Sequence, residues 1–142
     1  NSLFYNPSYI LKKELLSIPL FGMYLKKLHM IAIDRSQGIK SIKYVNEETK
    51  RLSEFRPVII FPEGTRTEFG SQPDLKPGIY SIYKNSNKPV IPIAINSGKF
   101  WPKNNKMKSG KIIIEFKDPI QPGLSKEDFL KKLKFDINSI NH

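Results

Sequence analysis

One run of six residues, Phe61-Pro62-Glu63-Gly64-Thr65-Arg66, carries the side chains best suited to chemistry. It follows the apolar run Val58 to Phe61, which predicts a buried strand. Arg66 offers a planar fork of donors for a phosphate, Thr65 adds a donor, and Gly64 lets backbone approach closely. Glu63 would orient the arginine or a substrate hydroxyl. The alternative interpretation is a turn at a strand end with one solvated ion pair.

A possible acid-base pair lies upstream, where His29 and Asp34 have a His-x-x-x-x-Asp spacing. We reject this pair because the residues between them predict a strand, in which positions five apart point to opposite faces about 16 Å from each other. A working pair needs contact near 3 Å. We expect His29 to be a structural or strand-edge residue, and His142 to lack a partner nearby in sequence.

The elements that must position these residues alternate between strands and helices, which predicts an α/β layer fold. Ser125 is a good N-cap for a terminal helix, with Asp128 at the capping-box position. The loop from Pro62 to Pro77 is long enough to be functional. We predict strands at 9–11, 30–33, 58–61, 89–95 and 111–116, and helices at 14–28 (kinked or split by Pro19 and Gly22), 41–55, 78–85 and after Ser125.

Composition narrows the class of protein. The chain has 142 residues, enough for one domain, and no cysteine, which excludes disulfides, thiolate zinc sites and a cysteine nucleophile. The net charge of +11 favours either nucleic acid or an anionic surface or substrate such as phospholipid head groups. No run approaches the roughly 18 apolar residues of a spanning helix, so membrane contact by these residues should be interfacial.

Four ordered blocks carry a resemblance to a known family. The Phe61 to Arg66 block resembles the FPEGTR block of the glycerophosphate and lysophosphatidate acyltransferases. The run 31–35, ending in Asp34-Arg35, is similar to the family's FIDR strand end. Two further segments, 12–22 and 90–95, resemble the lead-in to the second block and the fourth block. The match covers 9–98, and the remaining 99–142 reads as a basic connection, a strand and the terminal helix.

The resemblance implies a glycerophosphate acyltransferase-like layered α/β fold, incomplete at the N-terminus, within a single partial domain over residues 1–142. It implies that Arg35 and Arg66 hold the acceptor phosphate, with Glu63, Gly64 and Thr65 completing the substrate site. The reaction would move a fatty acyl group from acyl-CoA or acyl carrier protein to lysophosphatidic acid, giving phosphatidic acid. No metal, prosthetic group or nucleic acid is implied, and the expected location is the cytoplasmic face of the cell membrane.

The family's first block, an Asn-His pair followed by Asp, is expected upstream of the first strand. We therefore assign no catalytic residue within this chain and expect the chain alone to be inactive or nearly so. The alternative is a non-enzymatic basic module that binds an anionic membrane or nucleic acid. The candidate strands are aliphatic and look buried, which disfavours base stacking on a sheet.

Two apolar features are left open. Phe100 and Trp101, beside Lys99 and Lys103, suit a membrane interface or a loop tip folded back on the core. The segment from Ile18 to Leu28 has more apolar residues than one core-facing stripe needs, which leaves surface for lipid or for an upstream segment.

Overall fold

The computed structural model describes residues 5–102 and 106–140, which form two compact units. The first unit contains the residues up to Phe61 together with Ser81–Asn87. The second contains Pro62–Tyr80 and the residues from Lys88 onward. Lys103 and His142 lie outside the described residues. The single domain expected from chain length stays a prediction.

A parallel three-stranded sheet forms the first unit. Its strands are β1 (Ser8–Lys12), β2 (Ile31–Ile33) and β3 (Val58–Ile59), in the order β2-β1-β3. The third predicted strand is shorter than expected, ending before Phe61 and Pro62. Because the strands are parallel, their carboxyl ends share one edge of the sheet.

The chain between β1 and β2 is the predicted interrupted helix. It consists of a 3₁₀ turn, Lys13–Ser17, and a separate helix α1, Phe21–Lys27. Pro19 lies at the break, and Leu20 adopts a positive φ of 63°, a conformation that is unusual for a branched side chain. The predicted split is therefore confirmed.

Close packing of α1 on the 3₁₀ turn depends on Gly22. A Cβ atom at Gly22 would lie 2.0 Å from the carbonyl oxygen of Leu16, far inside van der Waals contact. Only a glycine allows the two backbones to approach this closely.

Helix α2 (Ile39–Leu52) covers the sheet of the first unit. Its buried positions, Ser41, Val45, Thr49 and Leu52, recur at the three- and four-residue spacing of one helix face. Val45 and Leu52 form a core with Ile31 of β2. The partly buried residues packed against that core are Ile10, Ile33, Val58 and Ile82.

The second unit combines an antiparallel strand pair with helices. Helix α3 (Gly78–Ser86) begins in this unit and ends in the first. The elements that follow it are β4 (Ile93–Ile95), the short helix α4 (Ser97–Phe100), β5 (Ile114–Phe116) and the terminal helix α5 (Lys126–Ile137).

Both strands of the second unit are shorter than predicted. Pro92 has no N–H to donate, and before it Val90 makes only an isolated bridge to Ile120. The expectation that all the strands are buried is wrong for β5, in which all three residues are exposed. β4 supplies the backbone pairing of β5, and the side chains of all three of its residues remain exposed.

The terminal helix begins as the sequence predicts. The Ser125 hydroxyl accepts a hydrogen bond from the Asp128 backbone N–H at 3.1 Å. Phe129 and Leu133 of α5 are buried, and the Phe129 ring lies 6.0 Å from that of Tyr80. The helix contacts β4 and closes the core of the second unit.

Candidate phosphate-binding site

The loop that carries the FPEGTR run has no helix or strand from Pro62 to Pro77, as the sequence predicts. Its two ends are joined where the Lys76 backbone N–H donates to the Pro62 carbonyl at 2.9 Å. Gly64 takes a positive φ of 68°, which its lack of a Cβ allows. The loop therefore begins with a tight turn at Gly64 and is closed at its base.

Glu63 supports the loop internally. Its carboxylate accepts a short hydrogen bond from the Thr67 hydroxyl. The half-buried carboxylate is thus bonded to the side chain of the residue that follows the arginine, and among the described residues it forms no ion pair with Arg66. The proposed role of Glu63 in orienting Arg66 or a substrate hydroxyl stays a prediction.

Arg66 lies against an aromatic ring. Its guanidinium carbon is 5.9 Å from the centre of the Trp101 ring, within the range of a cation–π contact. Both residues belong to the second unit, and both are exposed. Within the described parts of the chain, no carboxylate forms an ion pair with Arg66. Its N–H edge is therefore not taken up by a described acidic group.

A second contact joins the same loop to helix α4. A Cβ atom at Gly98 would lie 3.6 Å from the Cβ atom of Phe69, so the Phe69 side chain passes directly over Gly98. The start of α4 is itself fixed, because the buried Asn96 side chain accepts from the Ile113 N–H at 2.8 Å. The loop and the segment that carries Trp101 are thus held together at two points.

Arg35 lies at the start of a 3₁₀ turn (Arg35–Gln37) directly after β2, not on a long loop. Asp34 caps that turn by accepting from the Ser36 backbone N–H at 3.1 Å, and it also accepts from the Ser36 hydroxyl. Gln37 and Lys13 each donate to its other oxygen at 3.0 Å. Hydrogen bonds from the Ser36 hydroxyl, and then from Lys13, lower the pKa of the Asp34 carboxyl from 3.8 to about 2.

The arrangement around Asp34 also bears on the His-x-x-x-x-Asp spacing. His29 is exposed with a positive φ of 54°, and β2 separates it from Asp34. The hydrogen bonds recorded for the carboxylate come from Ser36, Gln37 and Lys13. This geometry agrees with rejecting the two residues as a catalytic pair.

The predicted site residues fall into two groups. Glu63, Gly64, Thr65 and Arg66 lie together on one loop of the second unit, whereas Arg35 belongs to the first unit. Each arginine is described within its own unit, and the two-arginine phosphate clamp stays a prediction. The residue that sequence reasoning missed is Trp101, which was weighed only as a membrane contact or a loop tip.

Residues 2–96 match the acyltransferase family model, two thirds of the chain. The chain belongs to the acyltransferase family. The match includes both arginine-bearing segments and ends at Asn96, just before the helix that leads to Trp101. The resemblance drawn from the four sequence blocks is thereby confirmed.

Several relatives in the family are named 1-acyl-sn-glycerol-3-phosphate acyltransferase. The protein from Pseudomonas aeruginosa is 42% identical over 102 residues, which cover 70% of this chain and 40% of the relative. That from Bacillus subtilis is 39% identical over 108 residues, covering 73% and 52%. That from Escherichia coli is 28% identical over 130 residues, covering 91% and 53%. The chain thus spans about half the length of these relatives.

The fold has a counterpart in a crystal structure, that of the 1-acyl-sn-glycerophosphate (LPA) acyltransferase from Thermotoga maritima. The TM-score is 0.76 with 22% sequence identity, over 96% of this chain and 56% of that one. The predicted acyltransferase-like α/β fold is therefore confirmed.

Proposed function

We propose that this chain supplies the acceptor-phosphate site of a 1-acylglycerol-3-phosphate O-acyltransferase, which converts lysophosphatidic acid to phosphatidic acid. The observation that carries the proposal is the family match over residues 2–96, which includes both Arg35 and the Arg66 loop. The names of the relatives support the acceptor. The chemistry of the loop agrees, because a guanidinium presents a planar fork of donors that matches a phosphate.

In the proposed reaction, the free hydroxyl of lysophosphatidic acid attacks the carbonyl carbon of an acyl thioester. An ester C–O bond forms, the C–S bond breaks, and the thiol of coenzyme A or of acyl carrier protein leaves. A base takes the hydroxyl proton as the bond forms and gives it to the departing sulfur, and we assign that base to a His-Asp pair that this chain does not supply. A thioester is already activated, so the proposal requires no metal or prosthetic group.

The role of the chain in this reaction is to hold the acceptor. Arg66 and Arg35 bind the phosphate, which fixes the distance from the phosphate to the attacking hydroxyl. Gly64 allows the backbone to approach the phosphate, and Thr65 adds a hydroxyl donor. Holding the acceptor in this way lowers the entropy cost of bringing two substrates together.

Acyl transfer by two polypeptides tests the proposal: this chain alone, and a longer one that includes the family's upstream His-Asp block. The longer polypeptide should acylate lysophosphatidic acid with acyl-CoA or acyl carrier protein as donor. The chain alone should be slower by at least a hundredfold to ten-thousandfold, since it lacks the base. Without turnover in the longer polypeptide with either donor, the enzymatic proposal is wrong, and binding to nucleic acid would then support a basic binding module. Turnover by the chain alone that is lost in His29→Ala would reinstate His29.

We also propose that the chain docks on the cytoplasmic face of the membrane through the surface of α1. In the part of the chain that the structure describes, no helix is both long and apolar enough to cross a bilayer. The α1 surface is nonetheless apolar, and Leu20 at its start is 76% exposed. Lys26 and Lys27 end the helix and would meet anionic head groups. The exposed apolar residues of this surface are Ile18, Leu20, Phe21, Met23 and Tyr24.

Vesicle binding tests the membrane proposal. The chain should bind anionic vesicles, and binding should fall steeply with salt because each lysine contributes about 1 kcal/mol that salt screens. Leu20→Ser should weaken binding roughly tenfold by removing apolar surface from the lipid. Phe135→Ser, at an exposed aromatic of α5, is the matched control and should leave binding unchanged. If the longer polypeptide does not bind vesicles, the α1 surface is covered by the upstream segment and the proposal is wrong.

A further inference from the structure

Arg66 poses a physical problem that the FPEGTR loop does not solve by itself. A long arginine side chain on an exposed loop samples many rotamers, and ordering it costs conformational entropy. In binding sites this cost is commonly reduced by a carboxylate that holds the guanidinium. Here Glu63, the acidic residue of the FPEGTR run, has its carboxylate bonded to the Thr67 hydroxyl.

The Trp101 ring provides the missing support in a form that suits phosphate binding. The five N–H groups of a guanidinium point outward in its plane, whereas a ring engages its face. A carboxylate would use two of those donors and partly neutralise the charge. The ring at 5.9 Å uses none of them and leaves the charge intact.

The position of Trp101 is itself fixed by several contacts of the second unit. Its backbone N–H donates to the Ser97 carbonyl at 2.8 Å, at the end of α4. The carbonyl of Phe100, the preceding residue, accepts from the Lys108 N–H at 2.8 Å. The contact of Phe69 with Gly98 joins α4 to the Arg66 loop. The ring is therefore carried by a supported segment, although 59% of the residue is exposed.

From this geometry we propose that Trp101 is a positioning residue of the acceptor site: its ring holds the face of the Arg66 guanidinium and turns the N–H edge toward the phosphate. This inference rests on the proposed function and deepens it. It assigns a role outside the FPEGTR loop, to a residue that touches the arginine and need not touch the substrate. It also gives the exposed tryptophan a use other than contact with lipid.

Trp101 is the only tryptophan in the chain, so its fluorescence reports directly on the site. The probe is a short-chain, water-soluble lysophosphatidic acid, with the corresponding monoacylglycerol, which lacks the phosphate, as control. The emission of Trp101 should change when the phosphorylated probe binds to the unaltered chain. It should not change with the monoacylglycerol, and in Arg66→Ala the change should require at least about tenfold more of the phosphorylated probe.

Calorimetric binding to the variants measures the contribution of the ring. Trp101→Leu should weaken binding of the phosphorylated probe about twofold to fivefold, the value of an exposed cation–π contact. Trp101→Phe keeps an aromatic ring that attracts the guanidinium less strongly, and it should lose less affinity than Trp101→Leu. In an Arg66→Ala background, Trp101→Leu should cause no further loss of affinity for the phosphorylated probe. If the ring had a merely structural role, Trp101→Leu would lower the affinity whether or not Arg66 is present. Phe135→Leu, at another exposed aromatic of the same unit, should bind as the unaltered chain does.

The possible failures are distinct. If the unaltered chain binds the probe and Arg66→Ala weakens binding, but Trp101→Leu and Trp101→Phe both bind normally, the inference is wrong and the proposed function stands. Equal losses from Trp101→Leu with and without Arg66 would also overturn the inference. If the unaltered chain binds neither probe, the phosphate site is wrong, and the positioning role falls with it.

Discussion

The two arginine-bearing segments are supported in opposite ways. Arg35 follows an aspartate whose carboxylate is engaged by Ser36, Gln37 and Lys13, so its turn is held by hydrogen bonds, most of them from residues close in sequence. Arg66 lies on a long loop whose recorded support at the guanidinium is an aromatic ring from a distant part of the chain. A short turn can thus be held by its own side chains, whereas a long loop needs contacts from elsewhere in the fold.

The largest expected effect compares the two arginines directly. In the longer, active polypeptide, Arg66→Ala and Arg35→Ala should each lower kcat/KM for lysophosphatidic acid about 10-fold to 150-fold, since a charged hydrogen-bond partner of the phosphate is lost. The KM for the acyl donor should stay nearly constant. If only one substitution has this effect, the two-arginine clamp is wrong and the other arginine has a structural role.

A smaller effect compares two glycines, one in each unit. Gly22→Ala should lower the free energy of unfolding by about 1 to 3 kcal/mol, because the new Cβ atom would overlap the Leu16 carbonyl oxygen. Gly98→Ala is the matched control, since its Cβ atom would make an ordinary 3.6 Å contact with Phe69. Urea unfolding of the two variants measures the difference. Equal stability of the two would contradict the close backbone packing of α1.

The smallest expected effect concerns pH and the Asp34 turn. The pKa of this carboxyl is lowered to about 2 in the folded chain, so its contribution to stability is present above the usual value of 3.8. That contribution is lost as the pH falls through about 2. Asp34→Asn should therefore be slightly less stable than the unaltered chain near neutral pH. Urea midpoints taken at descending pH should converge below about pH 4, and a constant difference would show that charge is not the cause.

The same contrast explains what could be predicted from sequence. The Ser125 cap, the break at Pro19 and the loop after β3 all follow from local chemistry, and each was predicted. The exposure of β5 was not predicted, because an aliphatic strand has the same pattern whether or not another element covers it. The pairing of Trp101 with Arg66 was missed for a similar reason. It depends on how the segment after β4 packs against the loop, and no local pattern encodes it.

The order of the first sheet has a consequence for how the protein is made. The central strand β1 pairs with β2 soon after it in the chain, but its other neighbour is β3, with Ser8 opposite Val58. During synthesis, β1 therefore exists with one edge unpaired until Val58 has emerged from the ribosome. A pause in translation before Val58 has emerged would leave that edge open to a neighbouring nascent chain, whereas a pause after Ile59 has emerged would not.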